Sequence, residues 1–262
     1  MAKEKLSFKN GSRLCYRVKE IDLRSFYDKI VDVATSVEND EDYLIELRLD
    51  YLINKKVDIK EIIDTISKAK KTLFDDYEID KQFIATVRNF SNGGNCLIDS
   101  KTYMSILELL YEKAKVDAID IDYDFYTEKA SSVKKLFTGK KSLIITYNCQ
   151  DRVLSKEEYK EVFDSMLKTP AYVLKIVTKA FSYDDTENLI NTAKEFEEKI
   201  IKNNKVPVVI STGKIGVISR IMPEYTNTKI VYLDTYDTDL VPYGEINKRI
   251  FDKYRKEIDK IK

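Results

Sequence analysis

The chain has 262 residues, 45 Lys+Arg balanced by 45 Asp+Glu, and neither histidine nor tryptophan. Apolar residues at 43% and charged residues at 34% describe a globular chain long enough to bury a core, and its zero formal charge argues against a global electrostatic footprint for nucleic acid or an anionic membrane. The missing histidine excludes Ser-His and Cys-His nucleophile pairs, histidine-ligated metals and an imidazole general base, so any proton chemistry must run on Lys, Tyr, Cys, Asp, Glu or water.

Taken in chain order, β-branched apolar runs bounded by polar clusters predict strands over Arg13–Val18, Tyr43–Leu49, Phe83–Val87, Val116–Ile121, Leu143–Thr146, Tyr172–Val177, Val206–Ile210 and Lys229–Leu233. The segments between them are longer, charged and amphipathic, which predicts helices. In SKEEYKEVFDSMLK, Ser155 and Glu158 form a capping box ahead of a stripe of Tyr159, Val162, Phe163, Met166 and Leu167. Ser182 and Asp185 open another helix, with Leu189, Ile190, Ala193, Phe196, Ile200 and Ile201 as its stripe. Eight strands, each followed by room for a helix, predict a (β/α)8 TIM barrel as a single domain over 1–262, with a doubly wound open sheet as the competing α/β architecture. Residues 1–12 read as an N-terminal extension or hairpin. Gly93, Gly94, Gly213, Gly216 and Gly244 fall in the segments that follow strands, where a barrel builds its catalytic loops.

Cys15, Cys96 and Cys149 are widely spaced and in no CxxC arrangement, which reads as reduced thiols in the cytoplasm. The N-terminal MAKEKLSFKNGS lacks the apolar run of a signal peptide, and no apolar stretch reaches membrane-spanning length. No membrane or nucleic-acid partner, no metal and no cofactor is expected. The GKxG at Gly213–Gly216 has the wrong spacing for a phosphate-binding loop.

Lys175 stands in the otherwise apolar run YVLKIV. A desolvated lysine releases a neutral amine able to form a Schiff base; a lysine that snorkels or pairs with a carboxylate is the plainer reading. In IELRLD, alternation puts Glu46, Arg48 and Asp50 on one face, where they must pair with each other or bind a polar ligand. Arg88 ends the third strand beside a glycine turn, and Arg220 follows the seventh; either suits a carboxylate or hydroxyl cluster.

Six pieces in this order, ELRLD, VRNFSNGG, AIDID, LIITYNCQ, LKIV and GKIGVISR, resemble type I 3-dehydroquinate dehydratase, a barrel enzyme that forms a Schiff base. The resemblance runs from about Cys15 to the C-terminal helix. It implies that Lys175 is the imine-forming lysine, that Glu46, Arg48 and Arg88 contact substrate hydroxyls, and that Arg220 holds a substrate carboxylate. It also implies a small cyclic keto acid as substrate, a place in the shikimate pathway of aromatic amino acid biosynthesis, and a homodimer. The family histidine, in an SNHDF-like segment, falls on Asn148, and the supporting glutamate falls on Asn92. The SAPGQ-like loop becomes Val241-Pro242-Tyr243-Gly244-Glu245. An amide cannot act as a general base near neutral pH. Glu245 leads the candidate replacements, followed by Tyr243 and Tyr147; alternation turns Cys149 away from the side used by Asn148. Three readings follow: a Schiff-base lyase-like enzyme with altered proton chemistry, a non-catalytic binder of a pathway metabolite, and a true dehydratase with a substitute base.

Overall fold

The computed structural model describes residues 6–8, 11–37, 42–236 and 244–260. Among them lie eight strands: β1 Arg13–Val18, β2 Tyr43–Arg48, β3 Gln82–Thr86, β4 Ala118–Asp122, β5 Ser142–Cys149, β6 Val173–Lys179, β7 Val206–Thr212 and β8 Ile230–Asp234. The helices are α1 Leu23–Ser36, α2 Asp50–Asn54, α3 Ile59–Tyr77, α4 Ser100–Lys113, α5 Tyr123–Leu136, α6 Lys156–Leu167, α7 Tyr183–Lys202, α8 Gly213–Gly216, α9 Ile218–Ile221 and α10 Lys248–Asp259. The strands form one eight-stranded sheet in the order β7-β6-β5-β4-β3-β2-β1-β8, so sequence neighbours are sheet neighbours. With helices alternating between parallel strands, this is the (β/α)8 barrel class; the doubly wound order, which reverses at a switch point, is not adopted.

All eight predicted strands are present. β5 runs further than its apolar core, because Thr146, Tyr147, Asn148 and Cys149 continue the ladder. β2 stops sooner: Asp50, read as a strand residue, instead opens α2. Both capping boxes form, Ser155 with Glu158 on α6 and Ser182 with Asp185 on α7, satisfying amides that the first helical turn leaves without partners. The α6 stripe buries Tyr159, Phe163 and Met166, and the α7 stripe buries Leu189, Ala193, Phe196 and Ile200. Ile201 does not join it; at the end of α7 it is 54% exposed, one step round the helix from Ile200. Of the proposed N-terminal extension, residues 1–5 and 9–10 lie outside the described residues; Leu6 is buried and its amide donates to Ser142 Oγ.

Two compact units divide the chain, one formed mainly by Cys15–Ile144 and the other mainly by Ile145–Lys262. In the first, pairing sets Arg48 opposite Thr86 and Thr86 opposite Asp120, a polar row across β2, β3 and β4 on one face of the sheet. The opposite face carries Tyr43, whose hydroxyl donates to the Ala34 carbonyl of α1, and is the helix-covered side. In the second, Lys175 pairs with Val208 and Lys179 with Thr212. Thr178 meets the hydroxyl of Tyr159 from α6 and Ser211 meets that of Thr186 from α7, so Thr178 and Ser211 face the helices while Lys175 and Thr212 face inward.

Candidate active site

The first unit is dominated by paired buried charges. The Arg48 guanidinium donates from Nε to Asp50 Oδ1 at 2.9 Å and from Nη2 to Asp50 Oδ2 at 2.8 Å, a fork in which burial works against the charge and Asp50 outweighs it, holding Arg48 well above its ordinary range. Glu46 accepts from the Thr86 hydroxyl at 2.8 Å. Arg88 donates to Asp122 and, at 2.8 Å, to Asp120. Its burial opposes ionisation, but these two carboxylates raise it well above the usual arginine value. Burial also lifts Asp122 above the ordinary carboxylate range, against the pull of Arg88. The loop after β3 closes tightly over this pair. A Cβ on Gly94 would sit 1.8 Å from the Arg88 carbonyl oxygen, so only glycine fits there. Within that loop Asn92 is buried and donates to Ser91 Oγ at 3.3 Å.

The sequence pattern singled out Glu46, Arg48 and Arg88 but gave no role to Asp120 and Asp122. The signal was present in AIDID, whose alternation sets both aspartates on one face of β4.

In the second unit Lys175 is 6% exposed, and its Nζ lies 3.8 Å from the centroid of the Tyr232 ring on β8. Asn148, at the end of β5, accepts from Gln150 Nε2 at 2.8 Å; Gln150 Oε1 in turn accepts from the Thr212 hydroxyl at 2.7 Å. Asn148 is therefore an amide oriented by a second amide. Cys149 faces elsewhere, as alternation requires: its Sγ donates to Asp151 and the Arg152 carbonyl, and burial keeps the thiol protonated by pushing its pKa upward.

Arg220 is buried on α9. Its neighbour Ser219 accepts from the Ser211 amide at 2.8 Å and donates to the Gly216 carbonyl at 2.8 Å, which locks the GKIGVISR turn onto the end of β7. Glu245 is partly exposed, and Gly244 beside it approaches Gly213 so closely that a Cβ would sit 2.3 Å from the Gly213 oxygen. Val241, Pro242 and Tyr243 lie outside the described residues. The contacts of Gln150, Thr212 and Tyr232 with the candidate residues were not legible in the sequence, because hydrogen-bonding and aromatic side chains at strand ends are common. Among the described residues no cluster of His, Cys, Asp or Glu is placed to hold a metal ion, and no helix is long and apolar enough to cross a membrane.

The first unit carries paired arginines and carboxylates at strand ends and the second an inward-facing lysine on β6, within the (β/α)8 class, which builds its sites on strand termini. Residues 24–239 match the type I 3-dehydroquinase family, and the chain belongs to it. A 3-dehydroquinate dehydratase from Dehalococcoides mccartyi is 28% identical over 169 residues, 64% of this chain and 72% of that protein. Another from Streptococcus pyogenes serotype M5 is 27% identical over 190 residues, 72% of this chain and 75% of its own length. The fold is similar to the crystal structure of a type I 3-dehydroquinate dehydratase from Clostridium difficile with covalently modified comenic acid, at TM-score 0.83 and 20% identity, covering 99% of this chain and all of that one.

Proposed function

We propose that this chain forms an imine between Lys175 and a cyclic keto acid related to 3-dehydroquinate, and that its proton chemistry departs from that of its relatives. The observation that carries this reading is the buried, inward-facing Lys175 on β6. A buried lysine is costly to keep without use. The amine adds to the ketone carbon, water leaves, and the protonated imine draws electron density from the adjacent carbon, acidifying its proton. Arg220 is assigned to the ligand's carboxylate, and Glu46, Arg48, Arg88 and Asn92 to its oxygens.

Removal of the acidified proton is the step that changes. Asn148 accepts a hydrogen bond from Gln150 and, being an amide, orients an oxygen but takes no proton at neutral pH. General acid–base catalysis is typically worth roughly 10²–10⁴-fold, so elimination should be slower by about that factor than it would be with a base in place.

The test is mass spectrometry after borohydride reduction in the presence of 3-dehydroquinate. An adduct on Lys175 with little dehydrated product is the expected result. An adduct with ordinary turnover identifies a dehydratase with a substitute base, and loss of that turnover in Glu245→Gln names the base. Binding without any adduct under saturating ligand leaves the non-catalytic reading and removes the imine.

A further inference from the structure

Arg48 spends only part of its donor set inside the protein. Nε–H and one Nη2–H go to the two oxygens of Asp50, and the Tyr51 ring lies 5.5 Å from the guanidinium carbon. A guanidinium has five N–H groups in one plane, so the Nη1 side remains as a second edge. Among the described residues the Arg48 hydrogen bonds run from Nε and Nη2, and none from Nη1. The Arg48 side chain is 12% exposed and that of Asp50 fully buried, so which edge of the plane is turned outward is decided by Asp50.

Asp50 is itself held. It lies in the first turn of α2, where β2 has just ended, and its Oδ2 also accepts from the Asn95 amide at 2.9 Å. Asn95 belongs to the same loop as Asn92 and Gly94, and Gly94 backs onto the Arg88 carbonyl. One carboxylate therefore ties the end of β2 to the loop that closes over Arg88.

We propose that Asp50 is a positioning residue: by clamping the Nε–Nη2 edge of Arg48 it presents the Nη1 edge to oxygen atoms of the bound ligand. This rests on the reading that Arg48 meets that ligand, and it adds a residue that reaches the ligand through Arg48 rather than by touching it. A lysine at position 48 would keep the charge but lose the fork. Asp50→Asn would keep the volume but replace one carboxylate oxygen by a donor, breaking the two-point clamp.

The experiment is a double-mutant cycle on the full chain, reading the dissociation constant for 3-dehydroquinate by calorimetry, with Asp50→Asn, Arg48→Lys and the double variant. Each single change should weaken binding about tenfold or more, in line with the loss of a charge-assisted hydrogen bond, and the double variant should be no weaker than either. Losses that multiply would overturn the proposal, because a purely structural aspartate acts independently of residue 48. A ligand-free measurement separates this from the dehydroquinate reading. The Arg48 Nε–H signal should be protected from solvent exchange in the wild-type chain and lose that protection in Asp50→Asn. Failure of the wild-type chain to bind 3-dehydroquinate would count against the ligand, while the exchange measurement would still decide whether Asp50 holds the guanidinium. Rapid Nε–H exchange in the wild-type chain would overturn the proposal even if Asp50→Asn fails to fold.

Discussion

Lys175 Nζ lies 3.8 Å from the centroid of the Tyr232 ring, with both side chains buried. The negative face of the ring attracts a cation, and the proposed imine pathway would have one at each end: an ammonium before reaction and the protonated imine after it. The carbinolamine between them is neutral and gains nothing from the ring. Tyr232 should therefore deepen both ends relative to the middle, slowing exchange in both directions with little effect on the equilibrium. A cation–π contact out of water is worth about 1–2 kcal/mol, so Tyr232→Leu should speed imine formation and hydrolysis by roughly 5–30-fold. Tyr232→Phe, which keeps the ring face, should stay within about twofold of wild type. Rapid-quench borohydride trapping measures both rates, and equal rates in the leucine variant would remove the ring from the mechanism.

The amide at position 148 leads to a second prediction. Gln150 Nε2 points at that side chain and is fixed from behind by the Thr212 hydroxyl. In Asn148→His, the same Nε2–H would donate to one ring nitrogen, leaving the proton on the other, where a base is needed. The single variant should gain little dehydration. Asn148→His combined with Gln150→Leu frees the ring, and should recover a large part of the roughly 10²–10⁴-fold that a general base contributes. Steady-state dehydration of 3-dehydroquinate checks this. A single variant as active as the double would show that Gln150 does not control the tautomer.

The barrel was legible in the sequence because its strands are buried on both faces, so each appears as a short apolar run between polar clusters. Lys175 and Arg88 stand out in the sequence as charges against that pattern, and Asn148 is a candidate only through the resemblance to a family segment. What pairing does to them was not legible. Arg88 reads as a ligand-facing arginine, and the sequence does not show that it also holds Asp120 and Asp122, which lie 32 and 34 residues away in the chain. Asp50 looked like a strand residue because ELRLD alternates, but the chain turns into α2 at that point and the carboxylate comes back to Arg48 from the helix. Alternation reports the face of a strand only as long as the strand lasts.

Arg88 also makes a stability prediction. Asp120 and Asp122 are both almost fully buried, and Arg88 is the cation between them. Removing one member of a buried ion-pair cluster typically costs about 3–5 kcal/mol, because the remaining charges lose their compensation. Arg88→Met should therefore destabilise strongly, or abolish folding. Asp122→Asn, in which burial already favours the uncharged form, should cost clearly less. Urea denaturation at neutral pH orders the two variants, and the reverse order would show that Asp122 carries the cluster.

Cys96 gives a pH dependence with a definite sign. Its thiol donates to the Arg88 carbonyl, and burial, with Asp50 and Asp122 nearby, pushes its pKa up to about 12. A group whose pKa is raised by folding supports the fold while it is protonated in both states. That support is lost as pH climbs from the ordinary thiol value near 9 towards about 12, because the unfolded chain ionises first. Stability should fall over this interval, and unfolding should release a proton that folding had retained. Cys96→Ala should flatten the part of the slope due to this thiol, whatever it does to stability at neutral pH. Iodoacetamide at pH 8 should leave Cys96 unmodified in the folded chain and label it only as urea opens the structure. Rapid labelling without denaturant, or an unchanged slope between pH 9 and pH 11 in the alanine variant, would place the titrating group elsewhere.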